Sequence, residues 1–214
     1  MVFNQLKKIL IFLITLIPIN YLKIKFLNIF KELNIDKKSS IGFCVVINTQ
    51  NLKIIETKIN SFNIINVKNI ILTKSDIGNF NIFNNFEELL INESKIMNKN
   101  KFYGLEFANE KTVLVLEKKS FIENNNYFDL TGSIKIKNAK IENFCQIWTH
   151  GFDSSRCIKI GNVNVEENCI IKSNSIINYN VTITKNTIIG LGSVVAKSIL
   201  ISGVYESSEI LKKN

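Results

Sequence analysis

The stretch Val165–Val195, VEENCIIKSNSIINYNVTITKNTIIGLGSVV, places Val165, Ile171, Ile177, Ile183, Ile189 and Val195 six positions apart without a miss. Four positions after each of the first five stands Cys169, Ser175, Val181, Thr187 or Ser193, all of them small. A period of six belongs neither to an α-helix nor to a simple strand. It suits an all-β solenoid of short parallel strands, each six-residue unit forming one flat side and a corner. The branched side chain fills the interior, and the small one sits inward near the corner, where a larger group would collide. Upstream, Ile41, Ile47, Ile59, Ile65, Ile71 and Ile77 keep the interval, with Lys53 the one failure. Leu116, Ile122, Phe128 and Ile134 form a third run, and Ile141 and Ile147 a fourth, with Cys145 at the small position. Antiparallel strands would instead show period-two alternation and frequent turn signals.

The rhythm fails twice. Between residues 83 and 112 the polar runs Asn84–Glu88 and Lys99–Lys101 predict an irregular excursion or a degenerate coil. From Thr149 to Lys159 the chain holds Gly151, Asp153, Ser154, Ser155 and Arg156, which predicts an exposed loop (149–159) beginning beside the lone histidine, His150. Loops projecting from a regular scaffold are where chemistry usually sits. The solenoid is expected over 39–205, with a short tail at 206–214.

Residues 1–38 read differently. Lys7 and Lys8 precede an apolar run, Ile9–Ile19, too short for a bilayer core of about 30 Å. Leu22, Phe26, Ile29, Phe30 and Leu33 then recur at helical spacing among Lys23, Lys25 and Lys31. This predicts an amphipathic α-helical segment whose residues 1–33 lie on an anionic membrane surface, or pack on protein.

The chain has 214 residues, 46% of them hydrophobic, with a net charge of +9, enough apolar content for a substantial core. One histidine excludes a zinc site built on two or three imidazoles, so no metal is expected. Four cysteines without a CxxC pair predict free thiols and a cytoplasmic setting. The lysine excess suits anionic partners, but without a zinc finger or RNA-binding aromatic signature no nucleic acid is expected. The abundance of Asn, 31 residues, is compatible with an AT-rich genome and names no function.

Two segments resemble the hexapeptide-repeat acyltransferases, which fold as left-handed parallel β-helices, and within them the branch that O-acetylates sugars and polysaccharides. The first is Tyr127-Phe-Asp129-Leu-Thr-Gly132 followed by Gln146-Ile-Trp148-Thr-His150-Gly-Phe-Asp153; the second is Ile188–Lys197. The resemblance covers roughly residues 41–205. It implies a homotrimer, acetyl-CoA as donor, a glycan or lipid-linked glycan acceptor, and His150 as general base. Chemistry supports that last role separately, because a group titrating near pH 6.5 can take the proton of a sugar hydroxyl during attack on a thioester. Asp153 and Asp129 are candidates to orient the imidazole or bind the sugar, unless Asp153 solvates the loop and Asp129 bonds backbone amides at a corner. Asn126 is a candidate to contact the acceptor, and Trp148 to stack on a sugar ring or the pantetheine, or to pack at a trimer interface. Ser173, Gly190, Gly192, Ala196 and Lys197 align with the family's coenzyme A path. Lys172 departs from the pattern at a position where relatives usually have glycine. The alternatives are N-acetylation of an amino-sugar nucleotide and a non-catalytic trimeric scaffold.

Overall fold

A computed structural model describes residues 2–105, 111–117 and 119–206. Ile41, Ile59, Ile77, Ile96, Ile122, Ile141, Ile171, Ile189 and Tyr205 lie in register along one parallel sheet and mark nine successive turns of a solenoid. That nine-stranded sheet is one side. The long strands Ile64–Thr73 and Ile82–Asn92 run unbroken round a corner and join the other two sides into a fourteen-stranded sheet. Every pairing within these two sheets is parallel, because each turn repeats the path of the one before.

The six-residue period is visible in what fills the interior. From the first side to the second, the spacing is six in each case, as in Ile41 to Ile47, Ile122 to Phe128 and Ile189 to Val195, all buried. Phe83, Phe102 and Phe128 stack inside in three consecutive turns, with ring centroids 4.7 and 4.5 Å apart. The next corner is where the chain departs from six. The interval there is seven from Ile47 to Ile54 and from Ile65 to Leu72, and eight from Phe83 to Ile91 and from Phe128 to Ile136. It reaches fourteen from Phe102 to Leu116 and eighteen from Ile147 to Val165, and returns to six from Ile177 to Ile183. Irregularity therefore accumulates at one corner of the prism.

This slip corrects three expectations. Lys53 is no gap in the core, since Ile54 takes the inward place. Ile71 lies outside, 41% exposed, and Leu72 replaces it. Residues 83–112 form a coil rather than an irregular excursion: Ile82–Asn92, Lys95–Ile96 and Lys101–Tyr103 are regular rungs, and the connection between Tyr103 and Val113 lies partly outside the described residues. Polar outward-facing residues on these rungs (Asn84, Glu87, Lys101) made the segment look irregular.

Asparagine is a building material here. Asn63, Asn81, Asn100 and Asn126 are buried one above another, each Oδ1 accepting the backbone N–H of the residue one turn on, at 2.7–2.9 Å, with Cys145 N the last. Each such bond satisfies a buried amide whose loss would cost about 1–3 kcal/mol. Asn125, Asn138, Asn168, Asn174, Asn180 and Asn186 also occupy left-handed corner positions, φ between 43° and 60°, which Asn tolerates better than branched residues do.

At the N-terminal end, α1 (Val2–Thr15) is followed by Pro18 and α2 (Asn20–Leu27). The first rung of a solenoid leaves edge groups unpaired. Here α2 satisfies several: Lys23 Nζ donates to Ile41 O (2.6 Å) and Gly42 O (2.8 Å), and Asn20 bonds Ser39 O and Ile41 N. Asn28 does the same for the N–H and C=O of Ile35. The expected amphipathic face through Leu33 is thus corrected: α2 stops at Leu27, Lys23 points inward, and Leu33–Ile35 already pairs with Asn51–Ile55 as part of the solenoid. Among the described residues no helix is long and apolar enough to cross a membrane.

Candidate active site

The irregular corner presents the histidine. Two short antiparallel strands, His150–Phe152 and Ile158–Ile160, form a hairpin projecting from the sixth turn, between its second and third sides, where an exposed loop is expected from the sequence. Its tip is tied by Asp153, whose Oδ1 accepts from Ser155 N, Ser155 Oγ and Cys157 N, while Oδ2 meets Lys159 Nζ at 3.2 Å. Those donors hold the Asp153 carboxyl below its ordinary pKa. Asp153 therefore shapes the hairpin and does not orient the imidazole.

That task falls to Asp129, one turn earlier at the same corner. His150 Nδ1 lies 2.8 Å from Asp129 Oδ2. The Asp129 side chain is 2% exposed, against 16% for His150. Thr149 N and Oγ1 reach the same Oδ2 at 2.8 Å, and Thr131 N and Oγ1 reach Oδ1 at 3.2 and 2.6 Å. Burial alone would raise the pKa of this carboxyl. The hydrogen bonds from Thr131, His150 and Thr149 outweigh it and hold the group below the usual carboxylate range. An ionised carboxylate only accepts, so Nδ1 is the nitrogen that donates, and a neutral ring in this position would carry its lone pair on Nε2. Among the described residues no hydrogen bond occupies Nε2.

Rings surround the pair. Trp148 and Phe152 approach the imidazole edge-on at 6.0 and 6.2 Å between centroids, and Tyr127 lies 5.1 Å from Trp148. Trp148 Nε1 donates to Gln146 Oε1. A Cβ on Gly151 would come within 2.4 Å of the Tyr179 ring, so glycine allows the hairpin to close on the seventh turn.

Not every candidate converges here. Asn126 is corrected: it is buried in the asparagine ladder, where no acceptor could reach it in this chain. Ser173, Gly190 and Gly192 share one corner, Gly192 N donating to Ser173 O, whereas Ala196 and Lys197 are exposed at the following corner. The close approach permitted at Gly190 is to the chain's own last strand, since Tyr205 O and Glu206 Cα lie 3.2 Å from a Cβ built there. Cys145 is interior, its thiol pushed up to about 11 by burial, which leaves it a packing residue. The sequence reading missed the two threonines that clamp Asp129; they stand two residues after the acid and one before the histidine.

No protein-family model and no curated protein sequence matches this chain. Solved structures do. A hexapeptide-repeat containing acetyltransferase from Vibrio cholerae O1 biovar eltor, complexed with acetyl coenzyme A, is 20% identical over 54% of this chain, with a TM-score of 0.45. This chain spans 63% of that protein, less than two thirds of its length. The polysialic acid O-acetyltransferase OatWY is 16% identical, covering 82% of this chain and 81% of its own, with a TM-score of 0.48. The polySia specific acetyltransferase NeuO is 13% identical, covering 82% and 84%, with a TM-score of 0.44. The stacked six-residue sides decide the architecture by themselves. It is a hexapeptide-repeat β-helix. On that scaffold the imidazole–carboxylate pair bridges the fifth and sixth turns, at the corner that collects the insertions.

Proposed function

We propose that this chain is an acetyl-CoA-dependent O-acetyltransferase acting on a sugar hydroxyl of a surface polysaccharide or its lipid-linked precursor. The observation that carries the reading is the bond from His150 Nδ1 to the buried Asp129, which leaves Nε2 without a hydrogen-bond partner among the described residues, on a projecting hairpin. In the reaction the acceptor oxygen attacks the thioester carbonyl carbon while Nε2 takes its proton. The tetrahedral adduct then expels the coenzyme A sulfur, which recovers the proton from the imidazolium. Asp129 stabilises the charge that the ring carries between these steps. No serine or cysteine nucleophile is needed. The likeness of the sequence motifs to sugar O-acetyltransferases supports the donor and acceptor classes, a homotrimeric assembly, and a donor path along Ser173, Gly190, Gly192, Ala196 and Lys197.

The same reading sets the enzyme on the cytoplasmic face of the membrane. Leu6, Ile9, Leu10 and Leu13 of α1 are each more than half exposed, at i, i+3, i+4 and i+7, and Lys8, Lys25 and Lys31 are exposed nearby. An apolar stripe flanked by lysines fits an anionic bilayer carrying a lipid-linked acceptor.

The test is release of free thiol from acetyl-CoA with glycan and amino-sugar nucleotide acceptors, for the wild type and His150→Ala. Turnover on a glycan that His150→Ala abolishes, with sedimentation unchanged, supports the reading. Turnover only on amino-sugar nucleotides replaces it with N-acetylation. Absence of both turnover and coenzyme A binding replaces it with a scaffold.

A further inference from the structure

The face leading to His150 carries one aromatic ring per turn over three consecutive turns. Tyr103 belongs to the strand Lys101–Tyr103, Tyr127 to Tyr127–Asp129, and Trp148 directly follows Gln146–Ile147. These strands are parallel neighbours in the same sheet. Tyr103 and Tyr127 lie 6.4 Å apart between centroids, nearly parallel at 14°, and Tyr127 and Trp148 lie 5.1 Å apart. Trp148 in turn meets His150. All three rings are partly open to solvent rather than sealed in the interior. Among the described residues no hydrogen bond engages either phenol hydroxyl.

Polar groups edge the same row. Lys101 stands in register with Tyr127, and Tyr127 with Gln146. Because Gln146 Oε1 already accepts from Trp148, its amide hydrogens remain to donate. Flat apolar rings bordered by hydrogen-bonding groups match the two sides of a pyranose, a face of C–H bonds and a rim of hydroxyls. The rungs repeat at about 4.8 Å, comparable with the length of one sugar unit in an extended chain.

We propose that Tyr103, Tyr127 and Trp148 form a row of stacking subsites holding successive sugar rings of an extended glycan, and so lead one unit of it to His150. The proposal rests on the reading of the site as a sugar acetyltransferase, and it deepens that reading by assigning three named rings to successive units of the acceptor.

Trp148 is the only tryptophan in the chain, so its fluorescence reports occupancy without requiring chemistry. The probes are dimers, tetramers and hexamers of a neutral hexose, an N-acetylhexosamine and an acidic sugar. For at least one of the three, affinity should rise from dimer to tetramer by roughly two- to tenfold per added ring. Tyr103→Ala should remove the gain for the longer chains, and Tyr103→Phe, which keeps the ring, should restore it. A flat response with every probe overturns the proposal, as does equal affinity for dimer and hexamer. A change of sedimentation coefficient in Tyr103→Ala also overturns it, because the row would then be a subunit contact. The two readings fail separately. Thiol release without length dependence removes the row and keeps the enzyme; length-dependent fluorescence without thiol release does the reverse.

Discussion

Asp129 and His150 stand 21 positions apart in the chain and meet at 2.8 Å across two stacked turns, the acid buried and the imidazole part-exposed. The register of the solenoid brings them together: Phe128 pairs with Ile147, so the residues following each arrive at the same corner. Replacing Asp129 by Asn keeps the shape and removes the charge that selects the Nδ1–H tautomer. Asp129→Asn should lower kcat by roughly 10²–10⁴-fold while leaving the KM for the donor near its wild-type value. Steady-state kinetics beside a melting curve checks this, since a merely structural role would move Tm and KM together.

The same carboxyl makes stability pH-dependent with a definite sign. Its folded pKa lies below the ordinary value of about 3.9, because the bonds from Thr131, His150 and Thr149 outweigh burial. Its contribution is therefore complete above about pH 4 and is lost as pH falls further through the folded value. The Tm difference between wild type and Asp129→Asn should shrink as pH falls below about 4, which melting curves at stepped acid pH measure.

Gly151 tests the positioning of the hairpin separately from the base. A methyl group there meets Tyr179 at 2.4 Å, and relief comes from moving either the ring or the hairpin that carries His150. Gly151→Ala should cost roughly 10–10²-fold in kcat, with Tm changed by only a few degrees. Tyr179→Ala in the same chain should recover most of the loss by making room for the methyl.

Lys23 is the cap of the first rung. Its removal in Lys23→Met leaves the carbonyls of Ile41 and Gly42 without their donors, a loss of about 1–3 kcal/mol. Burial lowers the pKa of this amine below its ordinary value. Between the folded value and about 10.4 the unfolded chain binds more protons, so wild-type stability should gain relative to Lys23→Met as pH rises through that window. Urea denaturation at stepped alkaline pH measures the difference.

The exposed stripe on α1 predicts binding to vesicles containing anionic lipid, weakened by salt. Changing Ile9, Leu10 and Leu13 together to Ser should move most of the protein from pellet to supernatant without lowering Tm, because these side chains pack on little of the fold. Retained sedimentation with vesicles would assign the stripe to a protein contact instead.

Reading the chain alone reaches some of this and stops for identifiable reasons. The interior column from Val165 to Val195 is visible because in those turns each six-residue side meets the same environment, so the pattern is local. The hairpin bearing His150 is visible because Gly151, Asp153 and Ser154 break that pattern. Ile54 and Leu72 were missed because one residue is added at one corner and one removed at the next, which shifts the phase without altering the eighteen-residue turn. Asn126 was misread because a ladder amide and an acceptor contact look alike in a string. Only stacking shows that its Oδ1 caps Cys145.

The sequence by itself determined that the chain coils into stacked sides with a lone imidazole on a projecting segment, since side-chain periodicity and its interruption are properties of neighbouring residues. Which acid serves that imidazole was decided by tertiary structure. Asp153 is three residues away and is turned into the hairpin tip, whereas Asp129 is a full turn away and lies beneath the ring. The lengths of the insertions at one corner set which side chains face each other across turns, and those lengths acquire spatial meaning only once the rungs are stacked.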